Sequence, residues 1–592
     1  MQKSYLKTIL LAACLAALFT GCNKSNELPS GTVKEVIDNL VTKLYRTLPP
    51  TQLDTISNEY ILRLLTDKDK EILSKKFWTF DVNVPVIVSL MRDRDQEVVP
   101  FWIEASGFKL TQFQVKNDEY EYEVWQKEFP AGQVGLGING FDKHRPVYFI
   151  TVAPQNEKDK LKITNVNPRY ALGVMDLNEF TYHDWDELKL KFLSVELKDQ
   201  VLFTTVRGRA REAHLVNAFR TTDTPSSTKP DQVVLTWSGD PKTTMDIQWR
   251  TSPEVKSGKV KYWEKGGIDT FYVDASVFKM EDRLLRNDRF VNRFTANLNY
   301  LDPGQAYQYV LASKSGWSQH AEFTTAPLNE EDFSFIWFGD THHSEAWGDM
   351  AKKSLKRHPE TAFFSIVGDL VTTGLHRDEW DKLWDYSDSV FTGKPLMPVP
   401  GNHDSQDGLG AWMYKEMFSL PDNGPKKQPS EMTYAFNYEH ALFLMMDATL
   451  PIHAQTAWME QQLKNSDAKW KFVMLHFPPY NYDNSYDEII KEWCSLFDKY
   501  HVDMVMSGHM HYYLRTKPMF NEQPVASPAK GTIYTVSIGI PGELEYWLAE
   551  EYAAVRMKEG PLYQHIAIKG NTLSYKCYDP DGNVKDQLVI KK

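Results

Sequence analysis

Apolar positions in this chain change their period several times, and each change marks a different kind of element. Between residues 32 and 48, Val33, Val36, Ile37, Leu40, Val41 and Leu44 recur at helical spacing and share one face, which predicts an amphipathic helix. From Phe80 onward the pattern shifts to strand-like runs at 84–91, 98–103, 120–125 and 147–152, so a β-rich region follows. Residues 230–327 continue as short alternating strands between turn formers, with Val233, Leu235 and Trp237 on one face and Tyr307 and Tyr309 on another. This is the pattern of a β-sandwich of fibronectin type III kind. After residue 330 the runs become short and wholly apolar, at 333–338, 362–367, 396–399, 471–475 and 502–506. Segments with helical spacing at 347–358, 378–391, 454–466 and 486–500 alternate with them, which predicts a layered α/β arrangement. Strand-like runs return at 564–568, 573–578 and 587–590.

The candidate chemistry sits at the ends of those short apolar runs. Gly339-Asp340-Thr341-His342, Gly368-Asp369, Gly401-Asn402-His403-Asp404, His476 and Gly508-His509-Met510-His511 each follow one. In open α/β sheets, ligands gather outside the carboxyl ends of the strands, so residues far apart in sequence can converge there. Carboxylate, amide and imidazole donors without a thiolate suit zinc, manganese or iron and do not choose among them.

The order and content of these motifs resemble the calcineurin-like metallophosphoesterase superfamily. The resemblance implies two divalent or mixed-valence metal ions (Zn, Mn or Fe), with Asp340, His342 and His511 on the first, Asn402, His476 and His509 on the second, and Asp369 bridging them. It also implies that a hydroxide held by the metals attacks phosphorus in line. His403 would serve the leaving oxygen, with Asp404 orienting its ring. The segment 230–327, through Pro230 to Trp237, Met245 to Thr251, Leu301-Asp-Pro-Gly304 and Phe323 to Pro327, is similar to the N-terminal domain of purple acid phosphatases. The metal motifs depart from those enzymes: Thr372 stands where they carry an iron-binding tyrosine, and His342 is present where they generally lack a histidine. A coloured iron-tyrosinate centre is therefore not expected.

The start of the chain reads as an export signal. Two lysines precede an apolar stretch at residues 8–20 that is too short to span a bilayer. Phe19-Thr20-Gly21-Cys22 resembles a bacterial lipobox, which would make Cys22 the lipidated first residue of the mature chain. The expected partners are thus the membrane, through an anchor on Cys22, and a phosphorylated small-molecule or surface substrate. The expected location is the bacterial cell envelope, facing the periplasm or the cell surface, with the outer membrane favoured. Of four cysteines only Cys494 and Cys577 would remain, too few for a disulfide framework. The net charge of −12, from 67 basic and 79 acidic residues, disfavours binding to duplex nucleic acid.

These readings divide the chain into a signal (1–21), a tether (22–31), a β-rich accessory domain (32–220), a linker (221–229), the fibronectin-like domain (230–327), a metallophosphoesterase domain (331–520) and C-terminal strands completing or flanking it (521–592). The expected fold is a layered metallophosphoesterase β-sandwich with flanking helices, preceded by all-β sandwich domains. His343, His376 and Tyr480 are the candidate substrate contacts, and Arg377, Tyr512 and Arg515 lie near enough in sequence to join them. The function expected is phosphoester hydrolysis, with a phosphomonoesterase of acid phosphatase type as the first reading. A phosphodiesterase acting on nucleotides or phospholipids is the second reading, and a non-catalytic surface binding lipoprotein is the third.

Overall fold

The computed structural model describes residues 28–592 apart from 169–170, 185–187, 315, 330–331, 407–408, 483–485 and 543–549. The expected signal, Cys22 and most of the tether lie outside the described residues. The chain forms two compact units, the first ending at Asn217 and the second running from Ala218 to Lys592. No described helix is long and apolar enough to cross a membrane.

The first unit opens with the helix Val33–Thr47. Thr32 caps it: its hydroxyl accepts the Glu35 N–H at 3.1 Å, and the Glu35 carboxylate accepts the Thr32 N–H at 3.0 Å. The predicted face is buried from Val33 to Leu44. Helices Asn58–Leu64 and Asp67–Lys75 follow. The rest is β-rich, with a three-stranded sheet around Trp78–Val82 and a seven-stranded sheet around Val86–Asp93 and Phe149–Pro154. The run at 98–103 is not a strand. Pro100 cannot donate to a ladder, and Trp102 begins a short helical turn, Trp102–Ala105, from which its indole donates to the Ile138 carbonyl at 2.7 Å.

In the second unit the expected linker is held fast. Thr222 exchanges hydrogen bonds with Asn287 at 3.0 and 2.8 Å, and Ser226 is bonded twice to the Asp288 carboxylate. The fibronectin-like strands follow. The long strand Phe271–Glu281 pairs through its first half with Gly258–Glu264 and through its second half with Phe290–Leu298, so one strand passes between two sheets. The sandwich is welded to the catalytic domain. Arg250 and Gln232 both donate to buried Asp381, at 2.7 and 2.8 Å, and Trp237 packs on Phe363 and Tyr438.

Two large sheets build the described part of the catalytic domain. In one, Phe363–Ile366 lies parallel to Phe333–Phe338, which is followed by the antiparallel strands Tyr563–Lys569, Thr572–Tyr578 and Val584–Lys591. In the other, the order is Tyr434–Tyr438, Ala441–Met446, Trp470–Leu475, Met504–Ser507, Ile533–Val536, Tyr513–Thr516, Ala553–Met557. The C-terminal segment therefore completes both sheets. Phe335, Phe363, Phe443 and Phe472 interlock between them with ring centroids 5.1–5.5 Å apart. Burying each such ring contributes about 1.5–3 kcal/mol. The predicted strand 396–399 contributes only two isolated bridges, Phe364 with Leu396 and Val367 with Val399. Pro395, Pro398 and Pro400 remove the donors that a ladder needs. The helices Glu345–Arg357, Arg377–Ser387 and His453–Asn465 flank the sheets.

Candidate metal centre

Strand Phe333–Phe338 delivers Asp340, strand Phe363–Ile366 delivers Asp369, strand Trp470–Leu475 delivers His476 and strand Met504–Ser507 delivers His509 and His511. The loops close on one another through the backbone. The N–H groups of Thr341 and His342 both donate to the Asp369 carbonyl, at 3.1 and 3.0 Å, and that of His343 donates to Leu370 at 2.8 Å. The turns are sharp: His342, Asp369, His509 and His511 all have φ between 41° and 73°, a region that non-glycine residues rarely occupy and that collects at functional sites. Two glycines supply the necessary room. A methyl group on Gly401 would overlap the Asp369 carboxylate, and one on Gly508 would overlap that of Asp340.

The two aspartates are used alike. Each gives Oδ1 to a backbone donor: Asp340 accepts the His509 N–H at 2.6 Å, and Asp369 accepts the His403 N–H at 2.9 Å. Each turns Oδ2 toward imidazoles. Asp340 Oδ2 lies 3.2 Å from His511 Nε2, and Asp369 Oδ2 lies 3.2 Å from His476 Nε2. His342 Nε2 stands 3.9 Å from both oxygens. Asn402 Oδ1 is 3.0 Å from His476 Nε2. Two donor groups result, Asp340 with His342 and His511, and Asp369 with His476 and His509. His342 and Asp369 also group with His403, which links the two. The structure thus brings all seven expected ligands into one cluster.

The surroundings set the charge. Burial opposes a charge on Asp369, yet the His476 and His403 rings beside it hold its carboxyl well below the usual range. Burial also opposes a proton on His476, but Asp369 and Asp340 outweigh it and lift the ring to about 9. His509, buried next to His476, falls to about 3. His476 donates Nδ1–H to the Val367 carbonyl at 2.8 Å, which turns Nε2 into the cluster.

These donors fit a pair of metal ions. Asp340 Oδ2 is buried, and its neighbours are the imidazole nitrogens of His511 at 3.2 Å and His342 at 3.9 Å; a buried carboxylate oxygen among imidazoles is stabilised when a cation is shared between them. The nitrogen and oxygen donor set suits zinc, manganese or iron.

Other expectations need correction. Asp404 does not touch the His403 ring. Buried, and pushed up to about 7 by burial and by the Asp369 charge, it accepts the backbone N–H groups of Gly401, Leu370 and Val371 at 2.9, 3.2 and 3.3 Å. The Thr372 carbonyl orients His403 instead, accepting Nδ1–H at 2.7 Å. The His403 side chain is 39 % exposed, against 0–2 % for Asp340, Asp369 and His476, so it stands at the lip of the cluster. His343 and His376 converge on Glu379, at 3.7 and 3.1 Å, and the same carboxylate accepts the Thr373 N–H at 2.6 Å. They shape the loop wall. Tyr480 is buried against Tyr534 and Tyr552 as core. Arg377 is buried beside Asp288 and Asp381, Arg515 is paired doubly with Asp586, and the Tyr512 hydroxyl accepts the Tyr482 N–H. The sequence reading missed Phe477, whose ring lies 4.8 Å from that of His509, and Tyr486, stacked on Phe477 at 5.0 Å. The aromatic that follows His476 directly was the available signal.

Comparison with known proteins agrees with this geometry. Residues 333–513 match the calcineurin-like phosphoesterase family, and residues 230–325 match the N-terminal domain of purple acid phosphatase. Mouse acid phosphatase type 7 is 27 % identical over 421 residues, covering 61 % of this chain and 90 % of the relative. A probable purple acid phosphatase 20 of Arabidopsis thaliana is 24 % identical, covering 56 % of this chain and 78 % of that protein. A purple acid phosphatase from yellow lupin seeds shares the fold at a TM-score of 0.53 and 14 % identity, over 88 % of this chain and 91 % of that one. The chain therefore carries a calcineurin-like phosphoesterase domain, with a purple acid phosphatase N-terminal domain ahead of it.

Proposed function

We propose that the protein is a phosphomonoesterase of acid phosphatase type, anchored at the cell envelope. The observation that carries the chemistry is that His342 and Asp369, one from each donor group, meet at half-exposed His403. Bound metal ions would supply the activated water and neutralise the phosphoryl oxygens. The chain's own residues do the rest. Asp369 and Asp340 fix the charge of the floor. The Thr372 carbonyl holds the Nδ1 proton of His403, which leaves Nε2 to face the mouth. From there Nε2 can hand a proton to the departing ester oxygen. Phe477 and Tyr486 wall one side of His509 and limit water there.

The monoester reading is supported by the purple acid phosphatase N-terminal domain and by relatives named acid phosphatases. The diester reading is supported by His342, which completes the first donor group with Asp340 and His511. The ratio of kcat/KM on p-nitrophenyl phosphate to that on bis-p-nitrophenyl phosphate, with manganese or zinc supplied, decides between them. A ratio well above one upholds the monoesterase, and a ratio below one replaces it by the phosphodiesterase. The anchor at Cys22, the envelope location and a small or surface-borne phosphate ester belong to the same proposal, resting on the Gly21-Cys22 junction and on the acidic net charge. Labelling with a radioactive fatty acid, lost on Cys22→Ser, tests the anchor.

A further inference from the structure

A second kind of donor group lies away from the dinuclear centre. His358 closes the helix Glu345–Arg357, Glu360 follows beyond Pro359, and His565 stands on strand Tyr563–Lys569. His358 Nδ1 and His565 Nε2 each lie 3.5 Å from the same Glu360 oxygen, and one donor atom from each of the three falls within 4.8 Å of the others. Ligand atoms around a tetrahedral zinc with bonds of about 2.0–2.1 Å sit roughly 3.3 Å apart, so the group is already near the needed size. His565 is 8 % exposed, and its Nε2 is buried without a hydrogen-bond partner. A buried nitrogen without a hydrogen bond is unfavourable, and a metal bond would satisfy it.

Two further features favour a cation. His358 sits at a helix C-terminus, where the carbonyl ends attract positive charge. The positive charges of Arg357, which donates to the Tyr563 hydroxyl and the Asp581 carbonyl at 2.8 Å, and of Lys576 oppose a cation, and the Glu360 carboxylate offsets them. Burial holds both imidazoles below the ordinary histidine range, His565 at about 4, so their lone pairs are free near neutral pH. The two rings stack 4.0 Å apart and 10° from parallel, and metal capture would turn one ring toward the other. The Glu360 side chain, 57 % exposed, leaves a coordination position open to water.

We propose that His358, Glu360 and His565 hold a third, mononuclear divalent ion of the zinc class, which fastens the end of the helix to the C-terminal strand. The test is zinc bound per full-length chain after saturation and removal of excess, by mass spectrometry. The wild type should retain about three ions, Glu360→Ala and His565→Ala about two, and Asp369→Asn should keep the third. Saturation of the wild type at about two ions, or undiminished zinc in Glu360→Ala, overturns the proposal. If His565→Ala fails to fold, Glu360→Ala decides alone, since its carboxylate is exposed. As a second reading, zinc should raise the melting temperature of Asp369→Asn, and an equal rise in the Asp369→Asn/Glu360→Ala double variant counts against the site.

Discussion

The Asp404 carboxylate accepts the Leu370 N–H at 3.2 Å, and so joins the loop that carries Asn402 and His403 to the residue directly after Asp369. With Gly401 and Val371 it makes three such bonds, all buried. Asp404→Ala would strand three buried donors, each worth about 1–3 kcal/mol. The expected outcome is a loss of several kcal/mol in stability and a 10- to 100-fold fall in metal affinity, as removal of a supporting carboxylate generally produces. Asp404→Asn keeps an acceptor oxygen and should lose less on both counts. Urea denaturation and zinc titration measure the two effects. Unchanged metal affinity in the alanine variant would refute the positioning role.

His403 touches the site by its exposed ring, while its N–H is held by the Asp369 carboxylate and its Nδ1 by the Thr372 carbonyl. His403→Ala should leave bound metal unchanged and lower kcat by roughly 100- to 10,000-fold, the usual range for lost general acid catalysis. The loss should be largest for alkyl phosphates, whose leaving oxygen needs a proton, and smallest for p-nitrophenyl phosphate. An equal loss on both substrates would argue against a role at the leaving group.

In the first unit, His214 is buried with Nε2 3.0 Å from the His144 carbonyl, and burial together with nearby Arg211 lowers it to about 3. The unfolded chain takes up this proton near the ordinary value of about 6.5, while the folded unit refuses it until about pH 3. Stability is therefore full above pH 6.5 and falls as pH drops through the window between these values, by up to about 1.4 kcal/mol per pH unit. His214→Gln keeps a donor to the carbonyl and should flatten this dependence. Urea midpoints between pH 7 and pH 5 report it, and identical slopes for the two proteins would contradict the assignment.

The expected ligands could be picked out because each rides in a short motif at the end of an apolar run, and the resemblance of those motifs to a known family assigned their roles. The helices and most strands of the catalytic domain were legible from the period of their apolar positions. What escaped reading depends on partners distant in sequence. Asp404 sits beside His403 but spends its oxygens on backbone 34 residues away. Arg377 and Arg515 look like phosphate-binding residues until Asp381 and Asp586 are found against them. Tyr480 follows a ligand motif yet packs against Tyr534 and Tyr552. The run at 396–399 is apolar enough for a strand, but its flanking prolines deny it the ladder. The turn-rich segment at 221–229 resembles a free connector and is pinned by Asn287 and Asp288, some 60 residues on.

Strand Phe333–Phe338, which carries Asp340, takes its antiparallel neighbour from Tyr563–Lys569, more than 200 residues later. The turn at Gly339 also leans on the Ser537 carbonyl. During synthesis the strand that carries Asp340 thus lacks this neighbour until Tyr563–Lys569 has been made. Closing such a long loop is slow, and a chain stopped before the last strands would carry every ligand motif and still lack the floor that gathers them. Readiness for metal therefore depends on strands made after the last ligand motif.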